Sequence, residues 1–321
     1  EKTPTIIKVI GVGGGGGNAV EYMYEKGICD VDFVICNTDY QALRNSPIPC
    51  KIQLGKELTA GHGAGNNPAM GEKSAQESLA DIEAILKKDT RMAFITAAMG
   101  GGTGTGAAPV IAKLSKDMGI LTVGIVSVPA RFEGPKRLDQ ARDGLRRLKD
   151  HVDCLIVIDN EKIKSIYGSQ TISQAFAKAN DVLNIAAKGI AEIITLPGYI
   201  NVDFADVRTV MTDSGVAIMG AAQASGEDRA IRAITEALES PLLNNNDILG
   251  AKDILLNITS GTDEITMDEM SQITSHIIRK VGNNAAVIWG VGTDPDLGDA
   301  VSVTIIATGF PTGDIELFGE E

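Results

Sequence analysis

The segment "ITAAMGGGTGTGAAPV", residues 95–110, decides how the chain is read. An apolar run ends at Met99, glycine fills five of the seven positions from Gly100 to Gly106, and an Ala-rich stretch follows. A loop this rich in glycine costs conformational entropy, which fits a strand-to-helix turn that must expose its backbone N–H groups. Thr103 and Thr105 add hydroxyls. No lysine stands before a Ser or Thr in the turn, which excludes a Walker A loop. Phosphate held here would meet N–H donors, a helix dipole, threonine hydroxyls and a bound cation.

Outward from that turn the same alternation repeats. "TIIKVIGV" (5–12), "VDFVICNT" (31–38), "RMAFITAAM" (91–99), "LTVGIVSVP" (121–129) and "DCLIVIDN" (153–160) are β-branched and nearly continuous in apolar character. That pattern predicts parallel strands buried on both faces. Helices are expected at 18–27, 70–88, 107–118 and 135–150. The fold class is therefore α/β, with a doubly wound, mostly parallel nucleotide-binding domain whose loops converge at the carboxyl ends of the strands. Residues 169–196 carry apolar positions at Ile172, Phe176, Ala179, Leu183, Ala186, Ile190 and Ile193, the period of one long central helix. At 1.5 Å per residue that helix is about 40 Å long. "LPGY" is expected to end it.

The second half predicts a smaller α/β domain. A helix at "FADVRTVM" is followed by strand "GVAIMGAA" and by a helix opened by Ser225 and Asp228 in a capping-box-like pattern. Strand "DILLNIT", helix "TMDEMSQITSHIIRKVG" and strands "AAVIWGVG" and "AVSVTIIATG" complete it. The expected division is a nucleotide-binding domain at 1–168, the central helix and connection at 169–198, a C-terminal domain at 199–311, and the start of a flexible tail at 312–321.

Composition narrows the function. The net charge of −13 argues against a general nucleic-acid or membrane-surface binder. Four cysteines without a CxxC pair and three histidines argue against a zinc site, and fit a reduced cytosolic compartment better than a disulfide framework. No signal peptide or membrane span is legible.

A second glycine turn, "GVGGGGGNAV" (11–20), closes the first strand. Alone it leaves a nicotinamide or flavin enzyme open, since Asp39 falls near the place of a ribose-binding acid. A dinucleotide fold has no need of the later "GGGTGTG", and the two turns together favour a nucleotide phosphate chain.

"GGGTGTG" resembles the signature of the tubulin/FtsZ superfamily of GTPases, and residues 6–311 resemble its bacterial FtsZ branch in particular. The resemblance implies GTP/GDP binding by Gly14, Gly15, Gly16 and Asn18 of the first turn and by Asp39 of "CNTDYQAL". Ala64, Gly65 and Asn66 of "GAGNNPAMG" correspond to the loop near the γ-phosphate, with Asn66 where the family often has Ala. Gly100, Gly101, Gly102, Thr103, Gly104, Thr105 and Gly106 form the signature turn. In "PARFEGPKR", Glu133 corresponds to the ribose-holding acid and Arg137 to a neighbour of the nucleotide, although Pro135 is unusual there. Asn160 and Asn180 correspond to the base readers. Bacterial FtsZ usually has Asp at the second of these, tubulins Asn, and a one-residue slip would bring Asp181 into the site instead. An amide offers guanine one acceptor and one donor where a carboxylate offers two acceptors.

"YINVDFADVRTV" (199–210) carries Asn201, Asp203 and Asp206. The two acids share a face at a helix start, where they also serve the helix dipole. The central helix carries the chain about 24 Å beyond Asn180, too far for these acids to reach a γ-phosphate in their own subunit. The pattern resembles the FtsZ synergy loop, which implies head-to-tail filaments with hydrolysis completed by the neighbour's catalytic Asp203, Asp206 and Asn201. A scaffold that binds nucleotide without hydrolysing it is the alternative these acids argue against. The resemblance further implies a cytoplasmic, polymerising GTPase of the bacterial division ring, assembling under the inner membrane. Mg2+ would be held mainly through nucleotide phosphates and water rather than by the protein, with a monovalent cation as a further candidate. Membrane-tethering and regulatory division proteins would bind a C-terminal tail beyond this chain, with no nucleic acid and no direct membrane insertion.

Overall fold

The computed structural model describes residues 5–196, 198–239 and 248–310. The chain forms two compact units that divide between Lys188 and Gly189. The first contains strands β1 (Ile7–Val12), β2 (Val31–Asn37), β3 (Cys50–Gln53), β4 (Met92–Ala98), β5 (Leu121–Val128) and β6 (Cys154–Asp159). They pair in the order β3-β2-β1-β4-β5-β6, and every pairing among these six is parallel. β1, β5 and β6 are buried along their whole length, as their continuous apolar runs require. The chain leaves β1 to one side for β2 and returns on the other as β4, so the order reverses beside β1 and opens a crevice at the carboxyl ends there.

Helices α1 (Gly13–Lys26), α2 (Tyr40–Asn45), α3 (Lys56–Thr59), α4 (Pro68–Glu77), α5 (Leu79–Leu86), α6 (Thr103–Asp117), α7 (Pro135–Lys149) and α8 (Asn160–Tyr167) connect the strands. Three differences from the sequence expectation have local causes. The single helix expected at 70–88 breaks at Ser78, whose buried hydroxyl donates to Gln53 O at 3.3 Å and accepts from Gly55 N–H at 3.1 Å. α1 and α6 begin five and four residues earlier than expected, inside the glycine turns. Glycine is a poor helix former, but these positions are packed. A Cβ on Gly16 would lie 2.4 Å from Thr96 O, and one on Gly106 only 1.9 Å from Pro68 O. β3 and α2 lacked a long enough periodic run to be legible.

α9 (Ile172–Thr195) is the expected long helix, 24 residues in length, and the boundary between the units falls within it. The second unit follows with β7 (Gly198–Ile200), α10 (Phe204–Met211), a two-residue strand β8 (Gly215–Val216), β9 (Ile218–Ala224), α11 (Arg229–Leu238), β10 (Asp253–Ser260), α12 (Met267–Val281), β11 (Ala286–Thr293) and β12 (Val301–Thr308). Its five-stranded sheet runs β7-β11-β10-β12-β9, with β10 and β11 parallel and the remaining pairs antiparallel. The Ser225–Asp228 capping pattern does not form: α11 starts at Arg229 after Asp228 adopts φ 55°, and Ser225 O accepts from Arg232. Thr266 and Glu269 instead make a capping box on α12. The expected end of the long helix at Pro197 and the tail at 312–321 lie outside the described residues.

Candidate functional site

Two helices in the first unit begin on glycine turns at the carboxyl ends of adjacent strands, α1 after β1 and α6 after β4. Neither has a side-chain cap or an acidic residue in its first turn. Their dipoles therefore face the crevice unneutralised, with N–H groups available to an anion. Among the described residues five other α-helices carry side-chain caps: Asp39 on α2, Asn67 on α4, Asp159 on α8, Asp203 on α10 and Thr266 on α12. The two uncapped starts open onto the same cavity, of about 510 Å³, lined by residues of the first unit.

Fourteen residues of the sequence reading line it: Gly14, Gly15, Asn18, Asp39, Ala64, Asn66, Gly101, Gly102, Thr103, Gly104, Glu133, Arg137, Asn160 and Asn180. Five others stand behind this lining. Gly16 packs on Thr96 O and Gly106 on Pro68 O. Thr105 turns its hydroxyl inward to accept from Gly100 N–H at 2.8 Å. Gly100 makes a turn at φ 111° against Arg137, and Gly65 a turn at φ 60°. Two of the five glycines of the signature turn, Gly100 and Gly106, thus serve the fold around the site rather than its surface. Gly104 does both, since a Cβ there would lie 3.0 Å from Ala98 O.

Side chains tie the turns together. The buried hydroxyls of Thr38 and Thr103 meet at 2.7 Å, joining the loop after β2 to the start of α6. Asp39 accepts from the N–H groups of Gln41 at 2.9 Å and Ala42 at 3.2 Å, so its carboxylate is engaged as a helix cap. Glu133 accepts from Ala130 N–H at 3.0 Å and stands 3.4 Å from Arg137 Nε, which has no hydrogen bond and is buried.

At the far end of the crevice, Asp159 caps α8 by accepting from Glu161 N–H at 2.8 Å and so orients Asn160 beside it. Burial pushes the Asp159 carboxyl above its usual range. Among the described residues Asn160 Oδ1, buried in the wall of the cavity, has no hydrogen-bond partner. A buried acceptor left open costs about 1–3 kcal/mol, which a donor on a bound ligand would recover. Asn180 faces the same cavity, whereas Asp181 accepts from Tyr22 Oη at 3.0 Å and is absent from the lining. Of the two neighbours, Asn180 is thus the one that faces the cavity. Phe176, Ala179 and Leu183 line the wall beside Asn180. Their spacing of three and four from one another marks a shared helix face, a signal that the sequence reading spent on packing. Val12, Asn37, Thr38, Ala42, Gly63, Ala98, Met99, Ser127 and Pro129 also line the cavity without having been singled out.

Asn201, Asp203 and Asp206 lie in the second unit and are exposed. Asn201 Oδ1 accepts from Gly198 N–H at 2.8 Å, and Asp203 caps α10 by accepting from Ala205 N–H at 3.2 Å. Among the described residues the Asp206 carboxylate has no partner. Of the two acids, it is the one whose carboxylate is not engaged in capping.

Among the described residues no group of three His, Cys, Asp or Glu side chains could hold a metal, and no helix is long and apolar enough to cross a membrane. The side-chain oxygens at the cavity are hydroxyls such as those of Thr38 and Thr103, amides such as Asn18, and two carboxylates, Asp39 and Glu133, that are both already hydrogen-bonded. That donor set fits a hard cation carried mainly by phosphate and water.

Residues 6–168 match the model of the Tubulin/FtsZ family, GTPase domain, and residues 215–311 that of the FtsZ family, C-terminal domain. The cell division protein FtsZ of Porphyromonas gingivalis is 50% identical over 309 residues, covering 96% of this chain and 67% of that protein. The FtsZ of Buchnera aphidicola is also 50% identical, over 96% of this chain and 80% of its own length. A solved structure of an empty FtsZ dimer from M. jannaschii superposes with a TM-score of 0.90 at 41% identity, over 99% of this chain and 95% of that one. The chain belongs to the tubulin/FtsZ family, as a cytoskeletal GTPase of the FtsZ cell-division branch that binds GTP and GDP.

Proposed function

We propose that the 510 Å³ cavity is the guanine-nucleotide site, that the chain assembles head to tail, and that hydrolysis needs acids from the next subunit. The observation that carries the site assignment is the convergence of two uncapped helix starts on one cavity whose other end holds the unpartnered Asn160 Oδ1. The phosphates would lie against the N–H groups of Gly14, Gly15 and Gly101–Gly104, with Thr103 adding a hydroxyl. Glu133 accepts from the ribose, and Phe176 offers an aromatic face to the base. Asn160 and Asn180 read its edge. When bound, Mg2+ would neutralise charge on the phosphates, and a monovalent cation would add to the same field.

The cavity supplies binding and charge stabilisation, but with Asp39 capping α2 and Glu133 held by Ala130 N–H beside Arg137 it offers little that would orient an attacking water. Asp206, exposed and unpartnered, supplies that part when a second copy brings it to the γ-phosphate, with Asp203 and Asn201 shaping the loop around it. Phosphoryl transfer demands positioning and charge more than covalent chemistry, so one carboxylate delivered in trans is sufficient. A head-to-tail contact that does not close makes a filament. The M. jannaschii relative was solved as a dimer, which supports self-association.

In this reading residues 1–168 form the GTP-binding domain, 169–198 the central helix and connection, and 199–311 the domain that activates the neighbour. Membrane tethers and division regulators are the further partners of this reading. The protein works in the cytoplasm, at the division site under the inner membrane. Asp206→Asn tests the catalytic assignment at one high protein concentration. It should bind GTP as the wild type does and lose most phosphate release, by about 100-fold or more for a water-orienting group. Phosphate release at the wild-type rate would rule Asp206 out.

A further inference from the structure

Gln140 on α7 lies outside the motifs that mark the nucleotide site, and it does not line the cavity. Its half-buried side chain nevertheless joins two loops that do. Nε2 donates to Gly100 O at 2.9 Å and to Asn66 O at 3.3 Å, so both amide protons are spent on carbonyls of different loops. Both carbonyls belong to residues in the left-handed region, Gly100 at φ 111° and Asn66 at φ 57°. Asn is among the few residues with a Cβ that adopt that conformation readily.

Little else holds the Asn66 loop from that side. Gly63 and Gly65 also have positive φ, and a Cβ on either would meet nothing within 4 Å. From the other side the loop rests on the signature turn, where a Cβ on Gly102 would lie 2.8 Å from Asn67 N. The loop can therefore approach Gly102 no further, and Gln140 keeps it from moving away. Asn66 and Gly101, one from each loop, face the cavity about an amide length apart: Asn66 Oδ1 is 3.9 Å from the place of a Gly101 Cβ.

We propose that Gln140 is a positioning residue that sets the gap between the Asn66 loop and the signature turn, and thereby the preference for nucleoside triphosphate over diphosphate. The proposal rests on reading the cavity as the guanine-nucleotide site. With the base at the Asn160–Asn180 end, the phosphates extend towards the glycine turns, and the last of them reaches the gap. A diphosphate ends short of it. Slack in the brace therefore weakens triphosphate binding and leaves diphosphate binding nearly unchanged.

The test compares wild type with Gln140→Met, which keeps the length and removes the donors, and Gln140→Lys, which restores donors. Affinities for GTP and GDP are measured by competition against a fluorescent guanine nucleotide, at one protein concentration below assembly. Gln140→Met should lower the GTP-to-GDP affinity ratio about fivefold, the worth of one or two neutral hydrogen bonds, with GDP affinity kept within about twofold. Gln140→Lys should recover most of the ratio. Should Gln140→Met fail to fold, Gln140→Glu takes its place with the same expectation, because an ionised carboxylate has no proton to donate. An unchanged ratio, or an equal fall in both affinities, overturns the brace alone. Wild-type protein that binds neither nucleotide overturns the nucleotide-site reading and the brace with it.

Discussion

Asn180 and Asn160 carry the base-reading assignment on two amides. A carboxylate at 180 would accept from both guanine N–H positions, whereas the amide accepts once and presents a donor to the other. Asn180→Asp is thus expected to tighten GTP by about three- to tenfold, the gain of a charge-assisted hydrogen bond over a neutral one. Competition binding checks this, and weaker binding would place the base elsewhere in the cavity. The other single residue with wide reach is Arg229, buried in the second unit and invisible to any motif. Its guanidinium donates to Glu269 at 2.8 and 3.0 Å, to Asp263 O and Oδ2, and to the carbonyls of Glu264 and Asp299. Removing one partner of such a buried pair leaves an uncompensated charge, so Arg229→Met should cost about 3 kcal/mol in urea unfolding. The hydrogen bond from Arg229 holds the Glu269 carboxyl below its usual range. Its stabilisation is therefore complete above the unfolded-state value of about 4.3 and is lost as pH falls through the lower folded-state value. Stability of the wild type should drop in that acid window, and in Arg229→Met that drop should shrink. An unchanged acid limb in the variant would show that Glu269 is not what titrates.

At the scale of elements, the glycines at the helix starts separate into two kinds. Gly106 is pressed against α4, and an added methyl would lie 1.9 Å from Pro68 O. Gly17, in the first turns of α1, has nothing within 4 Å of such a methyl. Gly106→Ala is expected to destabilise by about 1–3 kcal/mol through overpacking and to weaken GTP by displacing the start of α6. Gly17→Ala should stabilise by up to about 1 kcal/mol, the helix propensity gained. Thermal unfolding of the two variants measures both signs, and Gly106→Ala as stable as wild type would mean that α4 yields. The contrast also shows what the sequence can and cannot tell. Strands such as Leu121–Val128 were legible because burial on both faces leaves a continuous apolar run. The glycine turns were legible as turns between strand and helix, and both begin helices that open onto the cavity. Which glycine faces ligand and which faces a neighbouring helix was not legible, because that depends on how α4 and α6 approach each other. The break at Ser78 was hidden for the same reason: its hydroxyl answers to Gln53 and Gly55, more than 20 residues away. Phe176 read as an apolar helix position, and only the cavity beside it reveals the second use.

At the scale of the whole molecule, the first unit holds a cavity onto which two uncapped helices open, and the second carries the exposed Asp206 carboxylate, which has no partner among the described residues. In the proposed function a second copy of the chain joins them, and the catalytic site is completed by assembly. Phosphate release from GTP, followed against protein concentration with light scattering on the same samples, tests that claim most directly. The account predicts activity per subunit that appears above a threshold where scattering also rises. It also predicts that Asp206→Asn will assemble at a similar threshold and release little phosphate. Activity per subunit that stays flat down to the lowest concentration would contradict it, since the site would then be complete within one chain.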